Sequence, residues 1–197
     1  MYYKKIDCPN KRKGVNMKIR ILIIALLLLI GLFIPEDLNA QDKKEEVRVS
    51  PKAELMQTIG FTDVKIIYSR PGVKGRAIWG KLVPYNAVWR AGANEATKII
   101  FSTDIMVEGK NLKKGSYSFF AIPGKNEWTL IFNKVADQWG AFEYNESEDA
   151  LRIKVKPQKG DWEEWLAYTI TKTSDKTAVI KLEWEKLKIP FKIEVKI

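Results

Sequence analysis

The chain has 197 residues, a formal net charge of +10, no histidine and a single cysteine, and its length predicts one domain. Because that cysteine is Cys8, residues 41–197 contain neither Cys nor His. This composition excludes disulfides, cysteine nucleophiles, Ser-His-Asp triads and zinc sites with Cys or His ligands from those residues. Any catalysis there would use carboxylates, lysine, tyrosine or a hard metal ion bound by oxygen. We predict no cofactor and no metal.

Residues 1–40 have the order of a secretory signal peptide. Basic residues precede an apolar run at 21–34, and Ala40 supplies a small residue just before Gln41. A membrane-spanning helix needs roughly 20 apolar residues, so this run is short for a permanent anchor. We expect cleavage near Ala40 and a periplasmic or secreted protein. The alternative is an uncleaved N-terminal helix at 21–34 that anchors the chain in the membrane.

Removal of residues 1–40, which carry seven basic and three acidic residues, would lower the net charge to +6. The remaining basic residues are scattered through alternating segments, whereas a nucleic-acid interface needs a concentrated basic patch. We therefore predict no nucleic-acid partner. A mild attraction to anionic glycans or lipid headgroups is compatible with the charge.

From Pro51 onward, apolar and polar residues alternate in short runs, a pattern typical of β-strands with one buried face. The charged residues 41–50 precede this pattern and are predicted to be a flexible leader. The last three predicted strands are joined by turns at 174–176 and 186–188. The spacing predicts an all-β domain at 51–197, an antiparallel β-sandwich or jelly-roll-like barrel of about nine or ten strands. The predicted strand segments are 53–59, 64–68, 97–102, a small hairpin at 105–112, 116–122, 128–132, 151–155, 165–173, 178–185 and 189–197.

Two segments do not alternate like strands. The longer one covers residues 70–97, with one helical turn predicted at 77–82, and the other covers residues 137–149. Both are rich in large aromatic residues. The candidate ligand-binding residues in these segments are Arg76, Trp79, Tyr85, Trp89, Arg90, Asn94, Glu95 and Trp139.

Three stretches together resemble a known family. They are residues 69–105 (SRPGVKGRAIWGKLVPYNAVWRAGANEATKIIFSTDI), 113–134 (KKGSYSFFAIPGKNEWTLIFNK) and 138–142 (QWGAF). They resemble the secreted bacterial proteins grouped as domain of unknown function 2911, and the likeness runs from about residue 50 to the C-terminus. The resemblance implies a signal peptide, a compact β domain and no established activity.

The paired arginines allow two interpretations. Arg76 and Arg90 could bind a carboxylate, phosphate or sulfate group in a bidentate manner, or stack on a sugar. Alternatively, an Arg–Glu pair covered by tryptophan could hold a long loop against the sandwich, with Glu95 as the buried partner of Arg90. Nothing in the sequence names a ligand, and this favours the structural alternative.

The aromatic residues Trp79, Tyr85, Trp89, Trp139 and Tyr144 also allow two interpretations. Exposed in a row, they would form a platform of the kind that stacks on the apolar faces of sugars. Packed together, they would close the open end of the sandwich as a small second core. Trp is bulky and mostly buried wherever it occurs, and this favours the second alternative.

Catalytic and metal-binding candidates are few. Glu95, Glu143 and Asp104 are candidate catalytic carboxylates by location alone, since a glycosidase needs two carboxylates about 5–10 Å apart. The acidic run at 145–149 lacks the ligand order of a calcium loop and is predicted to be a solvated turn. The glycine-containing segments fit neither the Walker nor the Rossmann pattern.

These observations favour an exported, non-enzymatic binding domain for a small polar or anionic ligand, including a glycan, held at the segment of arginines and tryptophans. A carboxylate-based hydrolase of envelope saccharides and a purely structural envelope protein are the alternatives. The membrane is a predicted partner only through an uncleaved N-terminal segment.

Overall fold

The computed structural model describes residues 47–196 and contains ten β-strands and one short 3-10 helix in that range. Their bounds are β1 Lys52–Ile59, β2 Thr62–Ser69, β3 Thr97–Phe101, β4 Ile105–Val107, β5 Lys110–Leu112, β6 Gly115–Ile122, β7 Trp128–Asn133, the 3-10 helix Glu146–Glu148, β8 Asp149–Val155, β9 Gln158–Lys172 and β10 Thr177–Val195. The predicted signal peptide and its membrane-anchor alternative lie outside the described residues. Within residues 47–196, no helix has the length and apolar character needed to cross a membrane.

The strands form two antiparallel sheets. The six-stranded sheet has the order β1-β2-β3-β6-β7-β8, and the four-stranded sheet has the order β5-β4-β10-β9. The two sheets pack face to face because alternate residues of each strand are apolar and need burial. The predicted all-β class and the antiparallel sandwich are confirmed.

The core lies between the inner faces of the two sheets. In β2 the side chains of Val64 and Ile66 are buried, whereas that of Asp63 is exposed and that of Lys65 is half-buried. This alternation follows the period of two in the sequence. Across the core, the ring of Phe119 from β6 stacks on that of Phe191 from β10 at 5.6 Å. These contacts between rings of opposite sheets hold the layers in register.

The C-terminal strands are longer than the sequence predicts. Strand β9 begins at residue 158, not 165, and residues 186–188 form no turn, because β10 runs without a break from 177 to 195. The pairing of β10 with β9 shifts register on both sides of Glu185, whose φ is 57°. This bulge interrupts the alternation, so one bulged strand reads in the sequence as two strands and a turn.

The connection between β2 and β3, residues 70–96, is here called the crossover segment, and it pairs with both sheets. Near its start, the Val73 N–H donates to the Glu164 carbonyl of β9 at 2.8 Å, which covers part of the free edge of that strand. Further on, Trp89 exchanges two 2.8 Å backbone hydrogen bonds with Ala121 of β6. The helical turn predicted at 77–82 is absent. In its place, the chain closes a wider turn in which the Val83 N–H donates to the Ile78 carbonyl.

Four tryptophans meet where the crossover segment lies against the two sheets. Trp79 and Trp89 come from the crossover segment, Trp128 from β7 of the six-stranded sheet, and Trp184 from β10 of the four-stranded sheet. Ring centroids are 5.0 Å apart for Trp79 and Trp128, in an edge-to-face arrangement, and 6.0 Å apart for the stacked Trp89 and Trp184. This tryptophan cluster joins both layers and the crossover segment in one apolar contact.

Replacement of Trp184 by alanine tests the weight of this cluster. Trp184 is 1% exposed and Trp162, on neighbouring β9, is 51% exposed. Trp184→Ala is expected to lower the free energy of unfolding by about 3–5 kcal/mol because it leaves a cavity between the sheets. The matched change Trp162→Ala is expected to cost about 0.5 kcal/mol or less. Urea denaturation measures both free energies of unfolding. Equal losses in the two variants would show that the tryptophan cluster contributes no more to stability than an exposed tryptophan does.

Candidate functional site

All but one of the predicted site residues lie in two cavities and the tryptophan cluster, and Tyr85 lies outside all three. One cavity, of about 270 Å³, is here called the arginine cavity. Its lining residues are Val49, Ser50, Pro71, Gly72, Lys74, Arg76, Leu82, Val83, Trp89, Arg90, Gly92, Ala93, Asn94 and Trp184. It therefore brings together four of the eight predicted residues, namely Arg76, Trp89, Arg90 and Asn94.

Arg90 is the unusual residue of this cavity. Its side chain makes no hydrogen bond or ion pair within residues 47–196, and its Nε is buried without a partner. Burial lowers the pKa of Arg90, because a charged guanidinium loses hydration there and gains no counterion from the described chain. The pair with Glu95 that the structural interpretation required is not formed. The geometry leaves a partly buried cation that can still accept an anionic partner.

Two further cations line the arginine cavity. Arg76 donates from its guanidinium to the carbonyls of Gly72 and Val73, at 2.6 and 3.1 Å, which ties it to the start of the crossover segment. The Lys74 Nζ lies 5.5 Å from the ring centre of Trp165. None of the lining residues that belong to the described range 47–196 is acidic. The nearby Glu164 carboxylate already accepts the Lys74 backbone N–H at 2.8 Å.

Trp79 and Tyr85 line neither cavity. Trp79 is half-buried in the tryptophan cluster, where Trp89 also packs. Both tryptophans belong to the main core, so they form neither an exposed platform nor a separate second core. The half-buried Tyr85 ring lies against Gly80, which has a φ of +79°. A Cβ at Gly80 would come within 2.7 Å of that ring, so only glycine fits this turn.

The second cavity, of about 440 Å³, lies on the outer side of the six-stranded sheet and is here called the Trp139 groove. It contains the two other predicted residues, Glu95 and Trp139, together with Glu143. Its lining residues are Lys52, Ile67, Tyr68, Ser69, Glu95, Ala96, Lys98, Ala136, Asp137, Gln138, Trp139 and Glu143.

Glu95 and Trp139 face each other across a short antiparallel bridge. The bridge is closed by the Ala96 N–H donating to Gln138 at 3.0 Å and the Gly140 N–H donating to Asn94 at 3.1 Å. In this type of pair the two side chains are close neighbours on one face. The Glu95 side chain is 41% exposed, not buried as its sequence context suggested, and it pairs with Arg48 at 2.7 Å. That hydrogen bond lowers the pKa of Glu95.

Gln138 holds the second irregular segment against the sheet. Its Nε2 donates to Ser118 Oγ at 3.1 Å, Asn133 Oδ1 at 3.2 Å and the Val135 carbonyl at 2.8 Å. Because Asn133 Oδ1 and the Val135 carbonyl can only accept, the orientation of the amide follows from these two partners. Trp139 is therefore attached to a buried anchor although its own ring is 60% exposed.

A third cavity lies between the arginine cavity and the Trp139 groove. It has a volume of about 340 Å³ and is lined by residues 47–49, Asn94 and Trp139, so it shares residues with both of them. The Asn94 side chain donates to the Ser50 carbonyl at 3.3 Å, and Asn94 itself has a φ of 57°. The sequence interpretation missed residues 47–50 and Lys74 as lining residues. A short charged leader and a lysine in a turn carry no periodic signal that could have identified them.

The remaining carboxylate candidates do not join these sites. Asp104 lines none of the three cavities and accepts hydrogen bonds from the Lys113 ammonium and the Lys114 backbone, both at 2.9 Å. The run at 145–149 forms the 3-10 helix, which Asn145 caps by accepting the Ser147 N–H. No cluster of three or more potential metal ligands occurs within residues 47–196.

Tyr144, the fifth aromatic residue, belongs to a polar network beside the second irregular segment. Its hydroxyl donates to Asp149 at 2.6 Å and accepts from Arg152 at 3.2 Å, while its ring packs edge-on against Phe120. Burial, followed by the hydrogen bond to the Asp149 carboxylate, raises the pKa of Tyr144 to about 12. This residue supports the segment and faces no cavity.

Comparison with known proteins gives one match. The family described as "Protein of unknown function (DUF2911)" matches residues 50–193. No curated protein and no solved structure matches the chain.

The Tyr144 network can be tested by titration. The folded-state pKa of Tyr144 lies above the ordinary value of about 10, so its contribution to stability is complete below pH 10 and is lost as the pH rises towards 12. The absorbance of the Tyr144→Phe variant at 295 nm is subtracted from that of the wild type at each pH. In the folded protein this difference is expected to show one tyrosine that ionises near pH 12. In urea, where the chain is unfolded, the same difference is expected to show ionisation near pH 10. Ionisation near 10 in the folded protein would contradict the network.

Proposed function

The chain belongs to the DUF2911 family, whose description assigns no activity, and we propose from the geometry that it is an exported, non-enzymatic domain that binds a small anionic ligand in the arginine cavity. The observation that carries this proposal is the Arg90 guanidinium. It is partly buried and has no counterion within residues 47–196. A buried charge without a partner is costly, and folded proteins keep such charges mainly where a partner binds.

The surroundings of Arg90 favour an anion over other ligands. Lys74 and Arg76 add two positive charges to the lining of the cavity, and among residues 47–196 no carboxylate lines it. Like charges gathered in a concave site raise the local concentration of oppositely charged solutes. The planar guanidinium of Arg90 can bind a carboxylate, sulfate or phosphate group through two parallel hydrogen bonds. The volume of about 270 Å³ lies just below the range of about 300–1,000 Å³ that is usual for small-molecule sites, so the ligand must be small.

The rival function, a carboxylate-based hydrolase, has weaker support. It needs one carboxylic acid that stays protonated near neutral pH and acts as a general acid. Glu95 and Glu143 do line the same groove, but the hydrogen bond from Arg48 lowers the pKa of Glu95 and favours its ionised form. The shifts at Asp104 and Asp175 are also downwards, through hydrogen bonds to neighbouring lysine residues.

Arg90→Gln separates a binding site from a structural support. The wild type is expected to melt at a higher temperature in millimolar sulfate, phosphate or glucuronate than in sodium chloride of equal ionic strength, because a ligand that binds only the folded state stabilises it. Arg90→Gln is expected to abolish that increase. In chloride, the variant is expected to melt at the same temperature as the wild type or higher, because a poorly solvated charge is removed without the loss of a hydrogen bond.

Lys156→Gln is the matched control, since it removes one positive charge from an exposed position outside the three cavities. It is expected to keep the full response to anions. If Arg90→Gln melts several degrees lower in chloride and the wild type responds to none of the three anions, Arg90 is a structural residue and the proposed function is wrong.

The export part of the proposal has its own test. The full chain, expressed in a Gram-negative host, is expected to be recovered from the periplasm with Gln41 as its first residue, because the apolar run at 21–34 is short for a permanent anchor. Fractionation followed by intact mass measurement decides this. Recovery in the membrane fraction with residues 21–34 still attached would show that the domain is anchored in the membrane and not released, and would contradict this part of the proposal.

A further inference from the structure

Trp139 is exposed in a way that packing does not explain. Trp139 is 60% exposed, whereas the tryptophans of the crossover segment and of strands β7 and β10 are packed in the tryptophan cluster. Keeping a large apolar ring in water forgoes the stabilisation that its burial would give. The ring does not lie on a flat surface but borders the groove of about 440 Å³.

The backbone that carries Trp139 is held on both sides. The Nε2 of Gln138, before it, lies within hydrogen-bond distance of three acceptors, and the Gly140 N–H, after it, donates to the Asn94 carbonyl. Gly140 has a φ of +68°, and a Cβ there would come within 2.9 Å of the Phe142 ring. The exposed ring is therefore presented from a rigid backbone, so little backbone freedom would be lost when a ligand binds.

The charges of the Trp139 groove are balanced, in contrast to those of the arginine cavity. Lys98 pairs with Asp137, and Glu95 pairs with Arg48. Lys52 and Glu143 add one charge of each sign to the lining. This balance offers hydrogen-bond donors and acceptors side by side without attracting a strongly charged ligand.

We propose that the Trp139 groove is a second binding site, separate from the arginine cavity, and that it takes a neutral saccharide. An aromatic face stacks on the apolar face of a sugar ring, while hydroxyl groups both donate and accept hydrogen bonds and so match the mixed rim of Glu95, Glu143, Lys52 and Lys98. The groove volume falls in the range of about 300–1,000 Å³ that is usual for small-molecule sites. The lining residues of the two sites do not overlap.

Isothermal titration calorimetry with chitotriose, cellotriose and maltotriose tests this site. The wild type is expected to bind at least one of the three trisaccharides. Trp139→Ala is expected to weaken that binding ~10-fold or more, as removal of a central aromatic contact does, while Trp139→Phe keeps most of it. Both variants are expected to melt close to the wild type because the ring is mostly exposed. Trp162→Ala, which removes a tryptophan that is 51% exposed and lies outside the groove, is expected to bind like the wild type.

The two sites are distinguished by testing each variant with the ligand of the other site. Arg90→Gln is expected to keep trisaccharide binding, and Trp139→Ala is expected to keep the stabilisation by sulfate, phosphate or glucuronate. The proposal is overturned if the wild type binds none of the three trisaccharides at millimolar concentration, or if Trp139→Ala binds them as tightly as Trp162→Ala does. Trisaccharide binding that Arg90→Gln abolishes would place the sugar in the arginine cavity and would also overturn it.

Discussion

The architecture depends on how a long segment without regular strands satisfies its backbone hydrogen bonds. Polar backbone groups cannot be buried without partners, so the crossover segment lies along strand positions that the sheets leave open. Around Gly72 it pairs with the edge of β9 in one sheet, and at Trp89 it pairs with β6 in the other. β3 pairs with β6 only as far as Phe119, and Trp89 occupies the position beyond, opposite Ala121. The segment therefore belongs to both layers.

The same anchoring decides which aromatic residues are structural. Trp79 and Trp89 are drawn into contact with Trp128 and Trp184, where apolar area is buried and the two sheets are joined. Trp139 is excluded from this contact because it follows a different anchor, on the outer face of the six-stranded sheet. One set of aromatic residues in the sequence thus has two physical roles. The charged residues divide as well: within residues 47–196 the arginine cavity is lined by cations and by no carboxylate, whereas cations and carboxylates both line the Trp139 groove.

The alternation of residues was enough to predict the all-β class, the antiparallel sandwich and most strand positions, because burial of one strand face imposes a period of two. It failed at Glu185, where a bulge changes the register, and at β9, whose first residues are mostly polar and exposed. Six of the eight residues predicted from the sequence line one of the two cavities, whereas Trp79 and Tyr85 line neither. The sequence could not show that Glu95 would pair with Arg48, or that the set would divide between two cavities, because those contacts join segments that only folding brings together.

The placement of the arginine cavity has a mechanical consequence. Its walls include Gly72, whose neighbours are bonded to β9, Trp184 from β10, and Arg90, which follows the residue bonded to β6. A molecule lodged there would act as a removable crosslink between the two layers. Opening motions at this end of the sandwich would then be damped on occupancy, and backbone amides along the edge of β9 would exchange their hydrogens more slowly. In such a protein, binding of the ligand would also limit the motion between the two sheets.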